Sequence, residues 1–109
     1  MDLFFLFPIE ATYISKLNPN DNFGPCEKLF VGQSDKSADS FRTLLRFDIR
    51  AIPLGYIIEK ATLRLFLNQE DSSSPKDLFV NRLTSNFSQN TVTWNNAPEF
   101  KHTFFSAVV

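Results

Sequence analysis

At 109 residues, with eleven basic and twelve acidic side chains and a formal net charge of -1, the chain (1–109) is a single domain's worth of sequence. That size excludes two domains, and the balanced charge excludes the basic footprint with which a nucleic-acid binder displaces counterions. Thirteen phenylalanines carry most of the aromatic content, which favours a core of flat, bulky groups packed between sheets.

The first segment, MDLFFLFPI, is too short to cross a bilayer, which needs ~20 apolar residues, so no membrane insertion is expected. Asp2 places the wrong charge ahead of the apolar run for an ordinary secretion signal, and no small-residue cleavage pattern follows. The segment is read as a first strand or an ordered terminal arm. EATYIS then reads as a strand.

NPNDNFGP, over 18–25, is a turn in which asparagine side chains bond to their own backbone, Phe23 packs inward and Gly24 takes a left-handed conformation. Asn20, Asp21 and Asn22 also suggest an oxygen cage for calcium, but only Asp21 supplies a carboxylate there, where calcium usually takes several. The turn is the favoured reading, and no cofactor is expected beyond that calcium alternative. Cys26 is the only cysteine, so no internal disulfide staples the domain; beside Pro25 it reads as a small hydrophobe rather than a nucleophile.

KLFVG is a further expected strand, closed by GQSDKSADS. In FRTLLRFDI, Phe41, Thr43, Leu45, Phe47 and Ile49 fall on one face, expected to be the core, and Arg42, Leu44, Arg46 and Asp48 on the other. IPLGYIIEKA links onward, with Pro53 and Gly55 forming a turn and a short helical turn as an alternative. ATLRLFLN alternates again, placing Ala61, Leu63, Leu65 and Leu67 opposite Thr62, Arg64, Phe66 and Asn68. After the NQEDSSSPKD loop, strands are expected at DLFVNRL, TVTW and TFFSAVV. Short apolar runs between regular turn signals describe an all-β, antiparallel sandwich.

Three ordered pieces, ATYISKLNPNDNFGPCEKLFVG, RTLLRFDIRAIPLGYIIEKATLRLFL and FVNRLTSNFSQNTVTWNNAP, together resemble the DNRLRE domains. These are also grouped as carbohydrate-binding module family 96 and related to disaggregatase-associated repeats. The resemblance covers most of residues 11–98. It implies a jelly-roll-like β-sandwich, carried as a non-catalytic module in exported or cell-surface proteins, with polysaccharide as partner. Phe87 stands where the family usually has a tryptophan. Family members typically continue through further strands after TWNNAP, so the sandwich is expected to be incomplete, with a partner, a second copy in a homo-oligomer, or the apolar ends supplying what is missing.

In TVTWNNAP the alternation carries Trp94 inward with Val92, a structural plug rather than a stacking platform for sugar, while Asn95 and Asn96 form the turn. Arg42, Arg46, Arg64 and Arg82, with Asn81 and the apolar Phe66, are the candidate ligand residues. If their strands share one sheet, the guanidinium groups line a surface for an acidic or hydroxyl-rich glycan. The alternative is a solvated face on which they pair with Asp48, Glu59 and similar acids. His102, the only histidine, has no nucleophile in a recognisable motif near it, so no enzyme is expected. A structural or assembly subunit using open sheet edges and apolar termini is the alternative function.

Overall fold

The computed structural model describes residues 2–33, 38–66, 77–102 and 106–108. Its framework is the antiparallel ladder between β1 (Pro8–Ser15) and β3 (Ser40–Phe47), which β2 (Gly32–Gln33) extends on the far side of β3 in the order β1-β3-β2. β1 is rich in β-branched side chains, which fit a pleated surface. The register shifts between Pro8 and Glu10, where proline has no N–H to give to a ladder. Among the described residues, two short antiparallel pairs accompany it in the all-β fold: β4 (Asp77–Phe79) with β7 (Ser106–Val108), and β5 (Arg82–Leu83) with β6 (Phe100–Lys101).

Register decides which residues share a face. Glu10 lies opposite Arg46, Thr12 opposite Leu44 and Ile14 opposite Arg42, so these six project to one side of the ladder. On that side Ile14 and Leu44 pack with Phe87 and Val92 to form the core, with Leu83, Trp94 and Ala97 partly buried against it. The other side carries an aromatic cluster in which Tyr13 stacks on Phe23 at 4.4 Å and meets Phe30 and Phe41 edge-on.

The expectation that the Phe41, Leu45 and Phe47 face is the core is therefore corrected. Leu44, on the arginine-bearing face, is buried at 6% exposure, whereas Phe41, Leu45 and Phe47 are half-buried. Alternation separates two faces but does not say which receives the second layer; here the segment after β5 covers the Leu44 side, and the arginines reach past the core to its rim.

Four strand expectations are also revised. Residues 61–66 form no strand, and Leu63, Leu65 and Phe66 are exposed; residues 67–68 lie outside the described residues. Period 2 was present, but a strand exists only where a neighbour accepts its ladder bonds, and no described strand pairs with this segment. TVTW is turn and irregular backbone: the N–H groups of Thr91 and Val92 both bond to Ser88 O, and Val92 and Thr93 are both buried, which a strand with one buried face does not allow. KLFVG is extended only at Gly32 within its span, and DLFVNRL splits into β4 and β5 around Val80 and Asn81. The N-terminal arm joins β1 from Pro8 onward, while Phe4 packs edge-on against Tyr56 at 5.2 Å. The 52–55 turn is present with Gly55 at φ 94°, preceded by a short 3-10 turn over Ile49–Ala51.

Asp39 ties the end of β1 to the start of β3. It accepts from Ser15 Oγ at 2.5 Å, Leu17 N at 2.9 Å and Ser40 N at 2.8 Å. Burial pushes its pKa up, but these hydrogen bonds, with that of the Lys16 amide, outweigh burial and hold it below the ordinary value. A lowered carboxylate pKa contributes stability that is complete above the unfolded value, about 3.9, and is lost as pH falls through the folded value. Urea unfolding is therefore expected to show the wild-type chain losing stability below about pH 4, and Asp39→Asn, weaker throughout, losing less over that interval. In the same assay at pH 7, Leu44→Ala is expected to cost about 2–5 kcal/mol and Leu63→Ala, on the exposed segment, within about 0.5 kcal/mol.

Candidate functional site

Opposite Ile14 on the core face of β3, Arg42 lies at the edge of the buried cluster, and its guanidinium has two aromatic neighbours. It sits 4.5 Å from the centre of the Trp94 ring and 5.1 Å from that of Phe100. A cation over an aromatic face is attracted by the ring quadrupole, and a planar guanidinium also stacks there. The three side chains, with Ala97, Pro98 and Glu99, line an open groove of about 330 Å³. Phe100 enters it from β6, whose start is fixed where Glu99 O accepts from both the amide and the hydroxyl of Thr84, at 2.9 and 3.0 Å.

Trp94 is presented by a loop held at several points. Asn96 closes the turn locally: its Oδ1 accepts from Thr93 N at 2.7 Å, its own amide donates to Thr93 Oγ1, and its Nδ2 donates to Thr91 O. Asn95 reaches away, donating from its backbone to Pro19 O and from its side chain to Asn20 Oδ1 at 2.8 Å. Asn22 donates to Gln89 O and Val92 O. Gln89 in turn accepts from Ala11 N and donates from its backbone to Glu10 Oε1, while Glu10 Oε2 accepts from Arg46 Nη1 at 2.9 Å. The Gln89 amide, then the Arg46 guanidinium, hold the Glu10 carboxyl below its ordinary pKa.

The predicted site residues are thus dispersed. Arg42 lines the groove; Arg46 pairs with Glu10; Arg82 stands opposite Lys101 in the β5–β6 pair, with Asn81 just before it. Arg64 and Phe66 belong to the strandless segment, Phe66 being 92% exposed. The condition that the three expected strands carrying the four arginines share one sheet is not met: β3 and β5 lie in separate sheets and Arg64 lies in none. Asp48 bonds to Arg50 through both carboxylate oxygens, which lowers its pKa to about 2.

Trp94 is half-buried, packing partly against the core as the plug reading expects, and it also lines the groove. Phe87 is buried and Phe47 half-buried. Gly24 takes φ 65°, as its turn requires. In that turn Asn20 Oδ1 and Asn22 Oδ1 accept from Asn95 and Gly24 respectively, and no three His, Cys, Asp or Glu side chains are placed to hold a metal among the described residues. Cys26 Sγ contacts the carbonyls of Phe23 and Gly24, and His102 meets the Phe100 ring edge-on at 5.5 Å.

Phe100 and Glu99 were not anticipated. Both follow Pro98, where the turn reading stopped, and only the pairing of β6 with β5 brings Phe100 beside Arg42.

The family model described as carbohydrate-binding module family 96 matches residues 3–108, a wider span than the 11–98 on which the resemblance was read. No curated protein and no solved structure matched the chain.

Proposed function

The chain belongs to carbohydrate-binding module family 96, and from that premise we propose that it is a non-catalytic module of an exported or cell-surface protein that takes polysaccharide into the Arg42 groove. The observation that carries this reading is the placement of one guanidinium between Trp94 and Phe100 in an open groove. Aromatic faces offer an apolar surface to the C–H side of a sugar ring. The guanidinium offers donors in a fixed fork that matches a carboxylate or a pair of hydroxyls. Stacking against two rings also limits the rotamers Arg42 explores, which lowers the ordering cost of binding.

Acidic polysaccharide is the first ligand class to test, because Arg42 is the group that faces the groove with a formal positive charge. Glu99 beside it offers an acceptor for sugar hydroxyls.

A second reading is favoured by a separate observation. Leu54, Ile57 and Phe66 are almost fully exposed along a segment that no described strand covers. Exposed apolar surface of this kind marks interaction sites, and unpaired extended backbone accepts an added strand. On this reading the chain is an assembly subunit.

Affinity electrophoresis in gels containing acidic polysaccharide distinguishes the two. Retention of the wild-type chain is expected, weakened about tenfold or more by Arg42→Ala or Trp94→Ala and left unchanged by Arg64→Ala. Absence of retention in any polysaccharide gel refutes the binding reading. Light scattering tests the assembly reading: a dimer or larger species that dissociates on Phe66→Ser supports it, and a monomer at all concentrations refutes it.

A further inference from the structure

We propose that Asn22, in a turn remote in sequence from the groove, is the positioning residue that sets the place of Trp94. The inference rests on the groove being the binding site, as proposed above.

The 18–24 turn grips the Trp94 loop on both sides of the indole. Before it, Asn22 Nδ2 donates to Gln89 O at 3.0 Å and to Val92 O at 2.7 Å; after it, Asn95 N donates to Pro19 O at 3.0 Å and Asn95 Nδ2 to Asn20 Oδ1 at 2.8 Å. The orientation of the Asn22 amide is fixed chemically, because its Oδ1 accepts from Gly24 N at 2.9 Å. A backbone N–H can only donate, so the oxygen must face Gly24 and both amide hydrogens face the loop carbonyls. The Gly24 N–H, two residues after Asn22, closes a side-chain turn onto that oxygen, and Gly24 at φ 65° then redirects the chain that follows.

An asparagine meets this demand where its close relatives do not. Alanine leaves two carbonyls without their donor. Aspartate keeps the acceptor for Gly24 but, when ionised, sets a second oxygen against two carbonyl oxygens. The Val92 side chain is anchored in the core at 3% exposure, so the loop cannot leave as a whole. The strain falls on the segment between Val92 and Asn95, which contains Trp94. Displacing the indole separates it from the Arg42 guanidinium, now 4.5 Å from the ring centre. Asn22 thus acts on the groove through Trp94 and contacts no ligand itself.

Trp94 is the only tryptophan, so its emission reports this position directly, with or without ligand. Asn22→Asp and Asn22→Ala at pH 7 are expected to red-shift Trp94 emission and increase its quenching by acrylamide, with unchanged far-ultraviolet dichroism. They are also expected to weaken polysaccharide retention about tenfold, the equivalent of one net hydrogen bond. Acidification toward about pH 4, where an ordinary aspartate takes up its proton while Asp39 and Glu10 are held below their ordinary values, restores a donor, so Asn22→Asp is expected to shift back toward the blue. The wild-type chain, whose Glu10 carboxylate holds Gln89 on the same loop, is not.

Emission and quenching equal to wild type in both variants overturn the proposal. Should both fail to fold, Asn22→Ser, whose shorter hydroxyl side chain cannot donate to both Gln89 O and Val92 O, replaces them: a red shift supports the proposal and an unchanged spectrum overturns it. A wild-type chain that no polysaccharide retains refutes the binding reading, while the emission comparison still decides whether Asn22 positions Trp94.

Discussion

The burial of Ile14 and Leu44 beneath Phe87 and Val92 is the constraint on which the other features depend. It brings an irregular loop against one face of the β1–β3 ladder, and such a loop satisfies only part of its backbone by bonds such as those of Thr91 and Val92 to Ser88 O. Its polar groups therefore find partners in side chains: Glu10 of β1 accepts from the Gln89 amide, Asn22 of the first turn donates to Val92 O, and Asn96 within the loop accepts from Thr93 N, while Gln89 in return accepts from Ala11 N of β1. Apolar burial supplies the attraction, and the amide side chains supply the specificity of placement, since a buried unmet backbone group costs more than a net hydrogen bond returns.

The groove is a consequence of the edge of that same contact. Arg42 shares the face of Leu44 but lies opposite Ile14 at the rim, where its stem can follow the apolar surface and its guanidinium can remain near solvent. Trp94 arrives there because the loop passes over Val92, and Phe100 because β6 pairs with β5. Two aromatic side chains, from the loop and from β6, thus meet around the one cation of β3. On the proposed binding role, these groups offer ring stacking combined with directed hydrogen bonds and are already held in place.

The polar turn at 18–24 links fold and site. Its asparagines were legible as turn formers, and the left-handed Gly24 followed from the same chemistry. Their second role, holding the Trp94 loop, involves partners 67 to 75 positions away in sequence. No local pattern encodes a bond of that separation, so the turn was visible while its purpose was not.

The sequence alone determined the all-β class, the β1 and β3 strands, the glycine turns and the family, because alternation, turn chemistry and ordered motifs are local properties. It also made Arg42 and Trp94 candidates, though for a shared strand face and a plug respectively. Only the tertiary structure decided that Leu44 rather than Phe47 is buried, that residues 61–66 do not form a described strand, and that Arg42 meets Trp94 and Phe100 while Arg46, Arg64 and Arg82 go elsewhere. The physical reason is common to all three: a side chain's face follows from its own backbone, but what covers that face, and whether a strand finds a neighbour, depends on segments far along the chain.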